Sequence, residues 1–245
     1  MIVVGVVLVV ALGMMAVEAK VPGRNWPRVP GWWSRALLLN AGQVAVTVVA
    51  GQAWDSWMLT HRPWSGDALG PVGGAVVGYV VTTFVYYWWH RWRHESSFLW
   101  RVFHQVHHSP QRIEIITSFY KHPVEILANG ILSSAIVYFV VGLGPEAAAG
   151  AVALSGLAEL VYHWNVRTPY WLGYVIQRPE SHCVHHQEGV HSFNYSDLPL
   201  WDMLFGTFRN PRRFDARCGF GEDEHRLGVM LAGIDLTTRR PAAAS

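Results

Sequence analysis

The chain has 245 residues, 51% hydrophobic, 13% aromatic and only 15% charged, with a formal net charge of +2. Soluble globular chains carry about 25% charged residues, so the composition points to a membrane protein. The small net charge argues against a nucleic-acid partner; the basic residues read better as membrane flanks facing anionic headgroups.

Uncharged apolar runs occupy 1–17, 36–54, 68–89, 126–144 and 147–158, to be set against the ~20 residues that cross a bilayer as helix. The first three read as spans and the last two as a shorter helical hairpin turning at Gly142-Leu143-Gly144-Pro145. The first run has small residues for cleavage at Ala16-Val17-Glu18-Ala19, but no positive region precedes it, so it reads as a span rather than a signal peptide. The connector 20–30 holds three prolines, which lack the amide donor a helix needs. Trp32, Trp33, Trp54, Trp57, Trp64, Trp88, Trp89 and Trp164 gather near the ends of the runs, as an interfacial belt would.

These elements predict an all-α, multi-span membrane helix bundle. Residues 1–78 form the N-terminal spans and connector, 79–211 a histidine-rich region that includes the hairpin 126–162, and 212–245 a C-terminal tail, disordered from Thr237. If the spans alternate, eighteen of the nineteen Lys and Arg residues fall on one side, leaving only Arg62 opposite. The positive-inside bias then places the N-terminus out and the C-terminal region in the cytoplasm. Cys183 and Cys218 lie on that reducing side, where no disulfide is expected.

Eight of the thirteen histidines fall in three tight sets: His90 with His94, His104 with His107 and His108, and His182 with His185 and His186. Random placement would give roughly 0.04 copies of H-x-x-H-H in such a chain; this one has two. Positions i, i+3 and i+4 share a helix face, so each set is expected to point its imidazoles one way. The hairpin returns the chain to the side it left, bringing the sets to one compartment. Converging neutral imidazoles are ligands for Fe, Zn or Cu, and eight exceed the needs of one ion. Two metals side by side are expected, with His163 as a ninth ligand. Glu159, one turn earlier, is placed to bond a ligand's second nitrogen.

The motifs H90-RWR-H94, K-H122-P-V-E125, H104-QV-HH108 and H182-CV-HH186 together resemble the fatty acid hydroxylase and sterol desaturase superfamily of integral membrane diiron enzymes. The resemblance runs from about Tyr79 to Pro211. R178-P-E-S-H182, N194-Y195 and L200-W-D-M-L-F-G-T-F208 look like the same family. Several members carry a further H-x-x-x-H pair at the end of the hairpin, where this chain has H163-WNV-R167. Nine histidines, completed by water, Asn165 or His191, are therefore the expected site, with His122, Glu125 and His191 as pocket or supporting residues.

The resemblance implies two Fe ions, with zinc as a substitute in isolated protein. It also implies O2, a separate electron-donor protein and attack on a C–H bond of a lipid drawn from the bilayer. Hydroxylation is favoured, and a lipid or sterol desaturase is the alternative. A non-catalytic metal transporter would instead place ionisable ligands inside the spans, and a zinc hydrolase would want the carboxylate of H-E-x-x-H, which neither HQVHH nor HCVHH has.

Overall fold

The computed structural model describes residues 2–237 and is helical throughout, with an isolated β-bridge between Gln187 and Cys218 and no strand among the described residues. The helices are α1 (Ile2–Lys20), α2 (Trp32–Ala50), α3 (Ser56–Thr60), α4 (Gly70–Glu95), α5 (Ser97–Leu99), α6 (Gln105–His108), α7 (Pro123–Ala135), α8 (Pro145–His163), α9 (Pro179–His185), α10 (Pro199–Leu204) and α11 (Leu227–Leu231). The expected disorder beyond Thr237 lies outside the described residues.

Three helical stretches are long and apolar enough to cross a membrane: Trp32–Thr60, Asp67–Glu95 and Pro123–Val140. The first joins α2 to α3 through a π turn at Gly51–Asp55, and the third extends α7 through another at Ile136–Val140. The expected spans shift accordingly: the first arm of the hairpin reaches spanning length. The second arm, α8, has Glu146 and Glu159 within its 19 residues and is not among the three. The N-terminal run forms α1 as one continuous helix joined to the rest of the fold. Trp164 Nε1 donates to Met14 O at 2.9 Å, and the Glu18 carboxylate accepts from the amides of Ile115 and Asn165.

Helices α4 and α8 run parallel and in close contact. A Cβ on Gly78 would come within 2.7 Å of Leu143 Cδ1 and 2.9 Å of Ala151 Cβ, and one on Gly74 within 2.8 Å of Ala147 Cβ. Small residues let the two backbones approach, which is how helices associate where apolar lipid offers no driving force. Gly74 lies beside Ala147, so about sixteen residues further along each helix, at a rise of about 1.5 Å per residue, His90 and His163 reach the same level. Parallel packing therefore delivers histidines from two separate helices to one end of the bundle. On α7, Asn129 is held by α4: Trp89 Nε1 donates to its Oδ1 at 2.9 Å and the Tyr86 hydroxyl to its carbonyl at 2.8 Å.

At the other end, Arg62 grips Asp67 through two hydrogen bonds and donates to Gly142 O, tying the α3–α4 loop to the hairpin turn. Gly142 has φ 73°, and a Cβ there would meet the Trp64 ring at 2.6 Å. Trp33, Trp57 and Trp64 are about half exposed, as a belt requires. Trp32 is buried instead, its indole donating to Glu114 at 2.7 Å.

The histidine end is capped by residues 96–122 and 164–236. Trp32, Ala36, Trp100, Val106, Tyr120, Phe220 and Met230 form its largest apolar cluster. The proline-bearing connector is non-helical and lies on this cap: Gly23 N bonds Asn165 O at 2.7 Å, and Trp26 Nε1 bonds Ile113 O at 2.9 Å. Cys183 and Cys218 are buried free thiols.

Candidate metal centre

Each histidine set reaches the site through a helix boundary. Helix α4 continues past its apolar run to Glu95, carrying His90 and His94 one turn apart. A π turn at Trp100–His104 leads into α6, and Pro179 opens the short α9 that bears His182 and His185, with His186 at its end. His163 closes α8.

The nine histidines assemble into two groups. Ring nitrogens of His90, His94, His104, His108 and His185 all lie within 4.8 Å of one another, and so do those of His107, His163, His182 and His186. The His108 and His186 rings stack at 4.2 Å between centroids, so the groups adjoin.

Each H-x-x-H-H motif is shared between the groups rather than pointed one way. His104 and His108 go to the group of five while His107 goes to the group of four; His182 and His186 go to the group of four while His185 goes to the group of five. Neighbouring helix residues diverge by about 100°. The i, i+4 pair therefore faces one centre while the histidine between them faces the other.

The spacing of the nitrogens suits metal ions. His104 and His108 Nε2 are 3.1 Å apart, His163 and His182 Nε2 3.1 Å, and His182 and His186 Nε2 3.0 Å. Two ligands at right angles on bonds of ~2.1 Å stand about 3.0 Å apart. Nε2 of His90, His94 and His185 and Nδ1 of His186 are buried without a hydrogen-bond partner. Each unpaired buried nitrogen costs on the order of 1–3 kcal/mol, so the convergence of the three Nε2 atoms in the group of five fits a metal as their missing partner.

The opposite ring nitrogens are largely occupied, which fixes tautomer and ring orientation. Nδ1 of His90 donates to Tyr195 O at 2.7 Å, that of His185 to Phe193 O at 2.6 Å, and that of His163 to Glu159 O at 2.9 Å. His107 Nδ1 lies 3.3 Å from Tyr120 O, and the Gln177 side-chain amide lies 2.6 Å from His182 Nδ1. His104 Nδ1 lies 3.0 Å from Glu125 Oε1, and Glu125 is also ion-paired with the buried Arg93.

Burial keeps these imidazoles neutral. It holds His104, His107, His108, His182 and His186 well below the usual histidine range, with Arg93 adding to the effect at His104 and neighbouring imidazoles at the others. His185 is pushed down to about 3, again chiefly by burial. A neutral ring is the metal-binding form.

The supporting candidates part company. Glu125 is fully buried against His104, as a supporting residue would be. His191 belongs to neither group: its Nδ1 is 3.2 Å from His108 Nδ1, behind a member of the group of five. Glu159 meets His163 through its backbone carbonyl, while its carboxylate pairs with Lys121. The cause is local: at the end of α8 the His163 ring folds back onto the carbonyl four residues earlier. Asn165 faces away from the site: its amide accepts from Arg24 N at 3.0 Å and donates to Arg24 O at 2.9 Å, pinning the connector. His122 caps α7, its Nδ1 accepting from Val124 N at 3.1 Å.

Sequence reasoning missed Arg93, Gln177 and the carbonyls of Tyr120, Phe193 and Tyr195. Arg93 and Gln177 were findable from position, between His90 and His94 and just before R178-P-E-S-H182. Alongside His90, one face of α4 and Leu132 of α7 line an open apolar groove of about 480 Å³, formed by Phe84, Val85, Trp88, Trp89, Trp92 and Leu132.

A fatty acid hydroxylase family model matches residues 75–207, more than half the chain and all nine histidines. The chain belongs to the fatty acid hydroxylase family. Among curated relatives of this family, it is 34% identical to an ornithine lipid hydroxylase of Rhizobium tropici over 72% of its own length and 56% of the relative's. It is 29% identical to human alkylglycerol monooxygenase over 63% and 34% of the two chains. To a sphingolipid C4-hydroxylase of Schizosaccharomyces pombe it is 28% identical over 51% and 44%. The matches thus span between about a third and just over half of these relatives. No solved structure gives a significant match.

Proposed function

We propose that this protein is a membrane-bound, O2-dependent diiron enzyme that hydroxylates a C–H bond of a lipid. The observation that carries this reading is the division of nine histidines, seven buried and two half-buried, into adjoining groups of five and four, with Nε2 of His90, His94 and His185 lacking any other partner. His90, His94, His104, His108 and His185 would hold one ion, and His107, His163, His182 and His186 the other. Iron is favoured because zinc is redox-inert and the relatives are named hydroxylases and monooxygenases. When bound, the metal pair supplies the oxidising chemistry.

The chain's own residues hold and shield that chemistry. Glu125, held by Arg93, keeps His104 in the tautomer that offers Nε2; the carbonyls of Glu159, Phe193 and Tyr195 do the same for His163, His185 and His90. Burial of the group of four excludes water from its ligands. The open apolar groove of Phe84, Trp88, Trp89 and Leu132 suits an acyl chain lying along it from the bilayer. Residues 79–211 make up the catalytic part, the histidine end faces the cytoplasm with the N-terminus outside, and electrons come from a separate redox protein.

The test compares lipids from cells with and without the protein. Gain of one oxygen in a lipid class, lost when His108 is replaced by Ala, is expected. An unchanged lipid profile together with no O2 uptake by the reduced, iron-loaded protein would overturn the reading.

A further inference from the structure

The segment from His191 to Tyr195 departs from ordinary backbone geometry. His191, Phe193 and Asn194 have φ of 42°, 70° and 49°, the only positive values at non-glycine positions among the described residues. Side chains disfavour this region, with asparagine among the few that tolerate it. The surrounding structure must therefore hold the loop in shape.

The carbonyls of this loop serve one histidine group. His185 Nδ1 donates to Phe193 O, and His90 Nδ1 donates to Tyr195 O. These are two of the three imidazoles of the group of five whose Nε2 is buried without a partner. The group of four meets the loop only indirectly, through Gln177, which bonds Asn194 O at 3.2 Å and reaches His182.

Two buried side chains hold the loop. Asn194 Nδ2 donates to Ser181 O and Arg209 O, both at 2.8 Å, and its Oδ1 accepts from Arg209 N at 2.8 Å. Both oxygens of Asp202 accept amides of the same segment: Tyr195 N at 2.8 Å and Ser196 N at 3.0 Å. Asn194 and Asp202 are 2% and 1% exposed, so neither bond set competes with bulk water.

We propose that Asn194 and Asp202 are positioning residues for the group of five: they pin a strained loop whose carbonyls aim His90 and His185 at one ion. The proposal rests on the two-metal reading above. It assigns to N194-Y195 and to the aspartate of L200-W-D202 a role at one centre only, exerted entirely through the backbone.

The experiment titrates the full-length, detergent-purified apoprotein with Co(II), reading bound metal per chain and the visible ligand-field bands. Asn194→Asp turns an amide that donates to two carbonyls into a carboxylate facing them. Asp202→Asn replaces one of two accepting oxygens with a donor. Each variant is expected to bind one ion as the wild type does and the other 10–100-fold more weakly, the range for loss of supporting contacts at a metal site. Adding His185→Ala to either variant should leave the remaining tight site intact; adding His186→Ala should abolish it. Wild-type affinity for both ions in both variants, or equal weakening of both ions, would overturn the proposal. A wild-type protein that binds no metal would instead overturn the two-metal reading beneath it.

Discussion

The two histidine groups are supported in different ways. The group of four stands mostly on helices: His163 on the end of α8, braced by the carbonyl of Glu159, His182 on α9 and His186 capping its C-terminus. The group of five combines α4 with a loop in left-handed backbone and a buried Arg93–Glu125 pair behind His104. One site can thus unite a centre preformed by secondary structure with one that depends on long-range polar contacts. The second should be the more sensitive to changes outside its ligand set.

The largest effect should come from crossing the motifs. His107→Ala and His185→Ala should each bring lipid oxidation to background. His107→Ala should loosen the ion of the group of four although it sits in the first motif, and His185→Ala the reverse. Metal titration of each variant, paired with His182→Ala and His104→Ala for assignment, would read this out. If His107→Ala matched His104→Ala in the ion it loses, the division would be wrong.

Acid should break both groups of the apoprotein together. The folded-state pKa values of His104, His107, His108, His182, His185 and His186 are lowered, against about 6.5 in an unfolded chain. Above that pH neither state takes up protons at these rings. Below it the unfolded chain binds protons that the folded one refuses, so stability falls as pH drops. Apoprotein melting temperatures should be level from pH 7 to 8 and decline progressively below about 6.5; a flat profile down to pH 5 would contradict the burial described here.

Glu125→Gln sharpens the comparison at its weaker side. It removes the charge behind His104 while keeping the shape, with an expected loss of about 10–100-fold in metal affinity or turnover, confined to the group of five. Smaller still, Gly78→Leu should act on both groups alike, because α4 carries His90 and α8 carries His163. The added side chain meets Leu143 and Ala151, and overpacking of this kind costs about 1–3 kcal/mol. Thermal unfolding would measure it.

Much of this was legible in the sequence. The membrane character followed from composition, and the nine histidines of the two groups are those singled out by spacing and by the hairpin's return. Their division into five and four was not legible, because it depends on how α6 and α9 rotate against each other. From sequence, Asn165 stands with water and His191 as a candidate to complete the site where H163-WNV-R167 lacks a second histidine, yet the chain leaves α8 there and the Asn165 side chain turns to Arg24. The carbonyls of Phe193 and Tyr195 leave no trace in residue type, since every residue has one. The π turns are equally silent, and one of them leads directly into HQVHH.

The most direct test of two adjoining metal sites is iron per chain in protein purified and loaded anaerobically, measured with O2 uptake on reduction. Close to two irons per chain, falling to about one in His163→Ala, with O2 consumed by the two-iron form, is the predicted result. One tightly held zinc per chain, with no second site and no O2 uptake, would contradict it.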